Sequence, residues 1–244
     1  MMRQPMLVSI PALNDNYIWL YGQENLPIIV VDIPDIAPLR QYLQQHHISV
    51  AALFLTHHHN DHTQGVMAFR QDFPNTPVFG PEETRAKGAS HIINAGKFSI
   101  PVGDNGANYH IEVIETGGHT EQHLSYLIDG HLFCGDSLFS AGCGRVFTGN
   151  YQQMFEGLQR INQLPDSTLI CAGHEYTLSN LAFAQQVLPN NLVIEQHLAC
   201  VQALRKNNQP SLPTKLGLEK QINPFLQAQT VEQFIQLRQA KDIF

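Results

Sequence analysis

Charge is sparse in this 244-residue chain, where Asp, Glu, Lys and Arg together make up 14%. What charge there is carries no basic excess, since 14 Lys+Arg face 21 Asp+Glu for a formal net charge of −7. A surface of that sign repels a phosphate backbone, so nucleic-acid binding is excluded as the main task. Long apolar runs are missing as well. Ile28–Val31 is as long an aliphatic run as any, and Met1–Asn16 holds no continuous apolar stretch. Neither a membrane span nor a signal peptide is therefore expected. The four cysteines, Cys134, Cys143, Cys171 and Cys200, show no Cys-x-x-Cys spacing. A chain this long needs no disulfide staple, so reduced thiols in a soluble cytoplasmic protein, active as a monomer, are the expectation.

The apolar fraction of 43% supports a substantial core. Short β-rich runs at Tyr17–Tyr21, Ile28–Val31, Val50–Leu55, Tyr109–Ile114, Leu124–Ile128, His131–Cys134 and Thr168–Cys171 read as strands. Amphipathic stretches at Ile36–His46, Thr63–Asp72 and Tyr151–Leu164 read as helices between them, which makes an α/β body. From about residue 175 the pattern turns helical, with Leu178–Leu188, Asn191–Lys206 and Thr230–Ala240 and no further strand; Thr230 is the expected N-cap of the last helix. Residues 205–244 hold six basic against three acidic side chains, a locally basic tail on an acidic body. A division at 174/175 follows.

Histidine is abundant, and four of the 13 fall in Thr56-His57-His58-His59-Asn60-Asp61-His62, just past an apolar strand. In an extended chain His57 and His59 project to one side while His58 points away, and Asp61 and His62 follow in the turn entering a helix. So many imidazoles beside a buried strand would cost stability unless a metal used them. Three later strand ends repeat one pattern, a glycine and then a ligand-type side chain: Gly118-His119, Gly135-Asp136 and Gly173-His174. With His58 set aside, seven candidates remain. They suffice for two divalent cations with a carboxylate between them, and their chemistry suits zinc, iron or manganese.

The His57–His62 segment resembles the HxHxDH motif of the metallo-β-lactamase superfamily. The remaining segments resemble the glyoxalase II (hydroxyacylglutathione hydrolase) family within it: Asn14-Asp15-Asn16-Tyr17, Gly135-Asp136-Ser137-Leu138-Phe139, Ala141-Gly142-Cys143-Gly144-Arg145, Gly173-His174-Glu175-Tyr176-Thr177, Asn223-Pro224-Phe225-Leu226 and Arg238-Gln239-Ala240-Lys241-Asp242-Ile243-Phe244. The resemblance implies an αββα sandwich over residues 1–174 and a helical glutathione-binding domain over 175–244. His57, His59 and His119 would hold one metal, and Asp61, His62 and His174 the other. Asp136 would bridge them, and Asp61 and Asp136 would be the catalytic carboxylates. Arg145, Phe147, Tyr176, Arg238 and Lys241 would bind glutathione.

The implied reaction is hydrolysis of S-(2-hydroxyacyl)glutathione, such as S-D-lactoylglutathione, the second step of methylglyoxal detoxification, with zinc as the expected metal and iron or manganese as alternatives. A thiol with a pKa near ~8.5 leaves without a strong general acid, which fits a site rich in ligands and lacking a Ser-His-Asp set. Core packing, not nucleophilic attack, is the expected role of Cys134, Cys143 and Cys171. The chain departs from the family pattern at Gly117, where Pro is common, at Gln122 (Gly), at Phe147 (Tyr) and at Gln227 (Arg); none of these is a ligand. Two other readings are a one-iron glutathione-persulfide dioxygenase of the same fold and a non-catalytic metal-binding module. The tail bearing Arg238 and Lys241 speaks for the hydrolase.

Overall fold

The computed structural model describes residues 5–102 and 106–244. Met1–Gln4, the start of the segment read as lacking a targeting signal, lie outside the described residues. Two compact units emerge: one holds the chain up to Glu115 together with Leu124–Asp129, the other Thr116–His123 and Gly130–Phe244.

The first unit contains β1 (Pro5–Ala12), β2 (Asn16–Gln23), β3 (Ile28–Val31), α1 (Ile36–His46), β4 (Val50–Phe54), α2 (Asn60–Thr63), α3 (Val66–Asp72), β5 (Val78–Gly80), β6 (His91–Ile92), β7 (Gly96–Pro101), β8 (Asn108–Glu115) and β9 (Leu124–Ile128). Strands β1 to β6 form one sheet in sequence order, antiparallel from β1 to β3 and parallel from β3 to β6. All four residues of β3 are buried, as a parallel strand covered on both faces requires. One face carries Leu39 and Leu43 of α1 with Val66 and Phe69 of α3. On the other, Phe54 meets Phe98 of β7 at 6.2 Å and Tyr126 of β9 at 4.8 Å between ring centroids. The antiparallel β7–β8–β9 meander thus packs on the sheet, giving an α-β-β layering.

Helix α1 starts where the Asp35 side chain accepts from the Ala37 N–H at 3.0 Å, and Pro38 sits in its first turn, where no backbone donor is lost. The single helix expected over Thr63–Asp72 is instead two short ones. Gly65 breaks it, its N–H donating to the Ile33 carbonyl at 2.9 Å, with no room for a Cβ beside that oxygen.

The second unit contains β10 (His131–Gly135), β11 (Leu138–Phe139), β12 (Gly142–Cys143), α4 (Tyr151–Asn162), β13 (Leu169–Ala172), α5 (Thr177–Val187), α6 (Leu192–Lys206), β14 (Thr214–Lys215), α7 (Leu216–Ile222), α8 (Pro224–Gln227) and α9 (Val231–Asp242). Parallel β10 and β13 are joined by α4, and β14 pairs antiparallel with β13. A strand does therefore follow residue 174, contrary to the sequence expectation; at two residues it is too short to show a period. Thr230 caps α9 as expected, accepting from the Gln233 N–H at 3.3 Å. All four cysteines are free, and only Cys200 is exposed. Among the described residues no helix is long and apolar enough to cross a membrane.

Candidate metal centre

In the first unit, β3 and β4 end side by side. Asp32, in the left-handed region just after β3, is buried and accepts twice from Thr56, at its N–H and its hydroxyl, both at 2.8 Å. Its Oδ2 also lies 2.8 Å from Nδ1 of buried His62. The Thr56 hydroxyl lies 3.0 Å from His57 Nδ1. Both imidazoles thus have one nitrogen engaged by a fixed oxygen and turn Nε2 the other way. His57 Nε2 stands 3.0 Å from His59 Nδ1, and His62 Nε2 stands 3.7 Å from Asp61 Oδ2. Asn16 holds Asp61, donating to its carbonyl at 2.9 Å and to its carboxylate at 3.3 Å. His58 turns away to Glu83 at 3.3 Å.

The second unit holds His119, Asp136 and His174, all buried. Pairing along β10 jumps register between Phe133 and Gly135, and Gly135 takes φ +46°. This bulge re-aims the next residue, Asp136. Its Oδ2 stands 3.4 Å from His119 Nε2, and its Oδ1 stands 3.4 Å from His174 Nε2. One carboxylate therefore lies between two imidazoles, one oxygen towards each. His119 Nδ1 lies 2.9 Å from the Arg145 carbonyl, which fixes the ring. Gly118 at φ +127° and Gly144 are obligatory here. A Cβ at the first would collide with the Met154 backbone, and one at the second with the Asp136 carbonyl oxygen.

These spacings fit metal binding. Donors ~2.0–2.2 Å from a tetrahedral cation stand ~3.3–3.6 Å from one another. The Asp136 separations from His119 and His174 fall in that range and exceed an ordinary charge-assisted hydrogen bond of ~2.7–2.9 Å. Imidazole and carboxylate are also the donors that hold zinc, iron or manganese.

Among the residues expected to bind glutathione, Phe147 and Tyr176 are exposed aromatics seated on two of the candidate histidines. Phe147 meets the His119 ring edge-on at 5.3 Å, and Tyr176 stacks on His174 at 4.6 Å. Arg145 is exposed, 3.4 Å from Asp242. Lys241 donates to the Ser179 carbonyl at 3.0 Å and sits over Phe183 and Phe244; burial lowers its pKa. Arg238 is different. It is only 4% exposed, donates to the Cys143 carbonyl at 2.8 Å, pairs with Asp242 at 3.0 Å and lies over the Phe225 ring. Its guanidinium clamps the Cys143–Arg145 segment and is not presented as an open cation.

Two of the departures from the family pattern, Gly117 and Gln227, are absorbed locally. Gly117 faces Gln153, whose side chain donates to the Glu121 carbonyl at 2.8 Å and closes the His119 loop; a Cβ would overlap both groups. Gln227 donates to the Lys220 carbonyl at 3.1 Å. Sequence reasoning passed over Asp32 and His123. Asp32 follows an apolar strand without any companion ligand, and His123 lies four residues past His119 with no glycine before it.

These sheets, with histidines and aspartates at their strand ends, fit a metallo-β-lactamase fold, and a model of the metallo-β-lactamase superfamily matches residues 33–174. The similar solved structures share that fold. ETHE1 from Myxococcus xanthus matches at a TM-score of 0.71 and 24% identity, covering 96% of this chain and 90% of that one. The B3 metallo-β-lactamase BLEG-1 matches at 0.69 and 22%, covering 91% and 100%. A model described as the hydroxyacylglutathione hydrolase C-terminus matches residues 175–244. The hydroxyacylglutathione hydrolase of Yersinia enterocolitica is 47% identical over 93% of this chain and 88% of its own length. That of Glaesserella parasuis is 44% identical over 98% and 99%. The chain belongs to the hydroxyacylglutathione hydrolase family.

Proposed function

We propose that the protein hydrolyses S-(2-hydroxyacyl)glutathione thioesters, S-D-lactoylglutathione among them, to glutathione and a 2-hydroxy acid, at a centre of two divalent cations. In this reading His57, His59 and His119 hold one cation, Asp61, His62 and His174 hold the other, and Asp136 is shared. The observation that carries it is the Asp136 carboxylate, one oxygen 3.4 Å from His119 and the other 3.4 Å from His174. When bound, such a pair supplies Lewis acidity to the thioester carbonyl and lowers the pKa of water from ~15.7 towards ~7. Zinc is the expected occupant, and these donors also accept iron or manganese.

The chain's own groups do the rest. The Asp32 carboxylate and the Arg145 carbonyl hold His62 and His119 by their Nδ1 atoms. Asp61, with a side chain 44% exposed, is the carboxylate open to water and the one that takes a proton from it. Phe147 and Tyr176 flank the substrate, while Arg145 and Lys241 meet its carboxylates. Arg238 keeps the Arg145 segment in place. The thiol leaves as thiolate at its own pKa of ~8.5, so no strong general acid is needed. Burial pushes the Cys143 thiol up to about 11 and raises Cys134 and Cys171 as well, which keeps all three out of nucleophilic chemistry.

We divide the chain at 174/175 into a catalytic and a glutathione-binding part; the two family-model matches meeting at that point support the division. A cytoplasmic monomer acting in methylglyoxal detoxification completes the reading. Elemental analysis of Asp136→Ala tests it: the variant is expected to lose at least one metal per chain and most of its turnover. Two metals retained with normal turnover would reject the assignment.

A further inference from the structure

His123 is 1% exposed and belongs to neither expected metal set, yet it connects the two ligands that the second unit carries on its loop and turn. β10 ends at Gly135, so the next N–H, that of Asp136, lies beyond the strand ladder. It donates to His123 Nε2 at 3.2 Å. That bond fixes the ring's chemistry. An Nε2 that accepts carries a lone pair, so a neutral imidazole has its proton on Nδ1. Nδ1 lies 2.9 Å from Ser137 Oγ and 3.1 Å from Thr116 Oγ1. Ser137 Oγ spends its own proton on the Thr116 carbonyl at 3.0 Å and is left to accept. The chain of donors runs without a break from the Asp136 N–H through His123 and Ser137 to Thr116. Thr116 opens the loop bearing His119, and its N–H donates to the His123 carbonyl at 3.0 Å.

We propose that His123, as its Nδ1–H tautomer, is a positioning residue that sets the Asp136 carboxylate relative to His119. The inference rests on the reading of Asp136 as a shared ligand. A histidine that only filled space would have no need of an acceptor aimed at this particular N–H. One that holds the backbone on the near side of a bridging carboxylate governs how tightly the pair of cations is kept, at the ~10–100-fold scale typical of groups behind metal ligands.

Substitutions separate these roles by shape. A Gln side chain places an acceptor where Nε2 stands, an Asn places a polar group only at the Nδ1 position, and Leu fills the volume with neither. Zinc retention against a competing chelator, measured on the full chain loaded with zinc, is expected to be near wild type for His123→Gln and ~10–100-fold weaker for His123→Asn and His123→Leu. Equal retention in all three overturns the proposal. Should Asn and Leu fail to fold, ring-nitrogen NMR of the wild-type protein decides, with the His123 signals assigned by their loss in His123→Gln. A neutral Nδ1–H ring is expected, and an Nε2–H ring contradicts the proposal. Asp136→Ala in the same retention assay keeps the two claims apart. If it holds both zinc ions, the shared-ligand reading fails; if it loses zinc while His123→Leu does not, only the role of His123 fails.

Discussion

The Asp32 carboxylate lies 2.8 Å from Nδ1 of His62, thirty residues along the chain, and both side chains are buried. The same carboxylate takes the N–H and hydroxyl of Thr56, so one side chain fastens the end of β3 to the loop that carries four of the proposed ligands. Removing it strands buried donors, each worth ~1–3 kcal/mol. Asp32→Ala is therefore expected to lower stability by about 3 kcal/mol in denaturant titration and to weaken zinc retention ~10–100-fold. Wild-type retention in a stable variant would show that His62 needs no such orientation.

Arg238 and Lys241 should respond differently to truncation. Lys241→Ala is expected to raise KM for the glutathione thioester several-fold with kcat held, since it removes binding shared by ground and transition states. Arg238→Ala should raise KM too, but it should also lower stability by about 2 kcal/mol by deleting buried charge-assisted bonds to Cys143 and Asp242. Arg238→Lys should not rescue, because an ammonium cannot reproduce the fork. Steady-state kinetics with thermal melts on the three variants reads both effects.

Glu219 gives a pH signature. It is fully buried, and desolvation raises its pKa above 4.5, although Thr214 at 2.6 Å and the Ala141 N–H at 2.8 Å pull it back. A carboxyl whose folded pKa is raised binds its proton more tightly in the native state. Its contribution to stability is complete below 4.5 and declines as the pH rises through the folded value. Between those limits the wild type should lose stability relative to Glu219→Gln as pH increases. Parallel curves for the two proteins in denaturant titrations across pH 4–8 would refute this.

Thiol reactivity offers a separate check. At pH 8 one alkyl group should add to the native chain, at Cys200, and four after denaturation, as intact-mass spectrometry would report. Rapid modification of Cys134 or Cys171 in the native protein would contradict their burial and raised pKa values.

How much of this was legible in the sequence depended on run length and on density. Ile28–Val31 and Leu124–Ile128 appear as strands with the bounds expected of them, because each is a short, largely apolar run ending in a turn. The strands β11, β12 and β14 have two residues each, and no periodicity exists at that length. Pro5 and Pro11 disguised β1, which tolerates them as a sheet edge. Four imidazoles in six positions marked the His57–His62 loop, whereas Asp32 and His123 carry no local sign of their roles. Arg238 misleads most. A cation in a basic tail reads as solvent-facing, and its burial follows from Cys143 and Asp242, which only the fold brings to it.

Thiol release from S-D-lactoylglutathione, followed on one preparation before and after chelation and paired with elemental analysis, tests the central claim most directly. Two divalent metals per chain are expected, with release abolished by the chelator and restored by added zinc. Undiminished release from metal-free protein would contradict it.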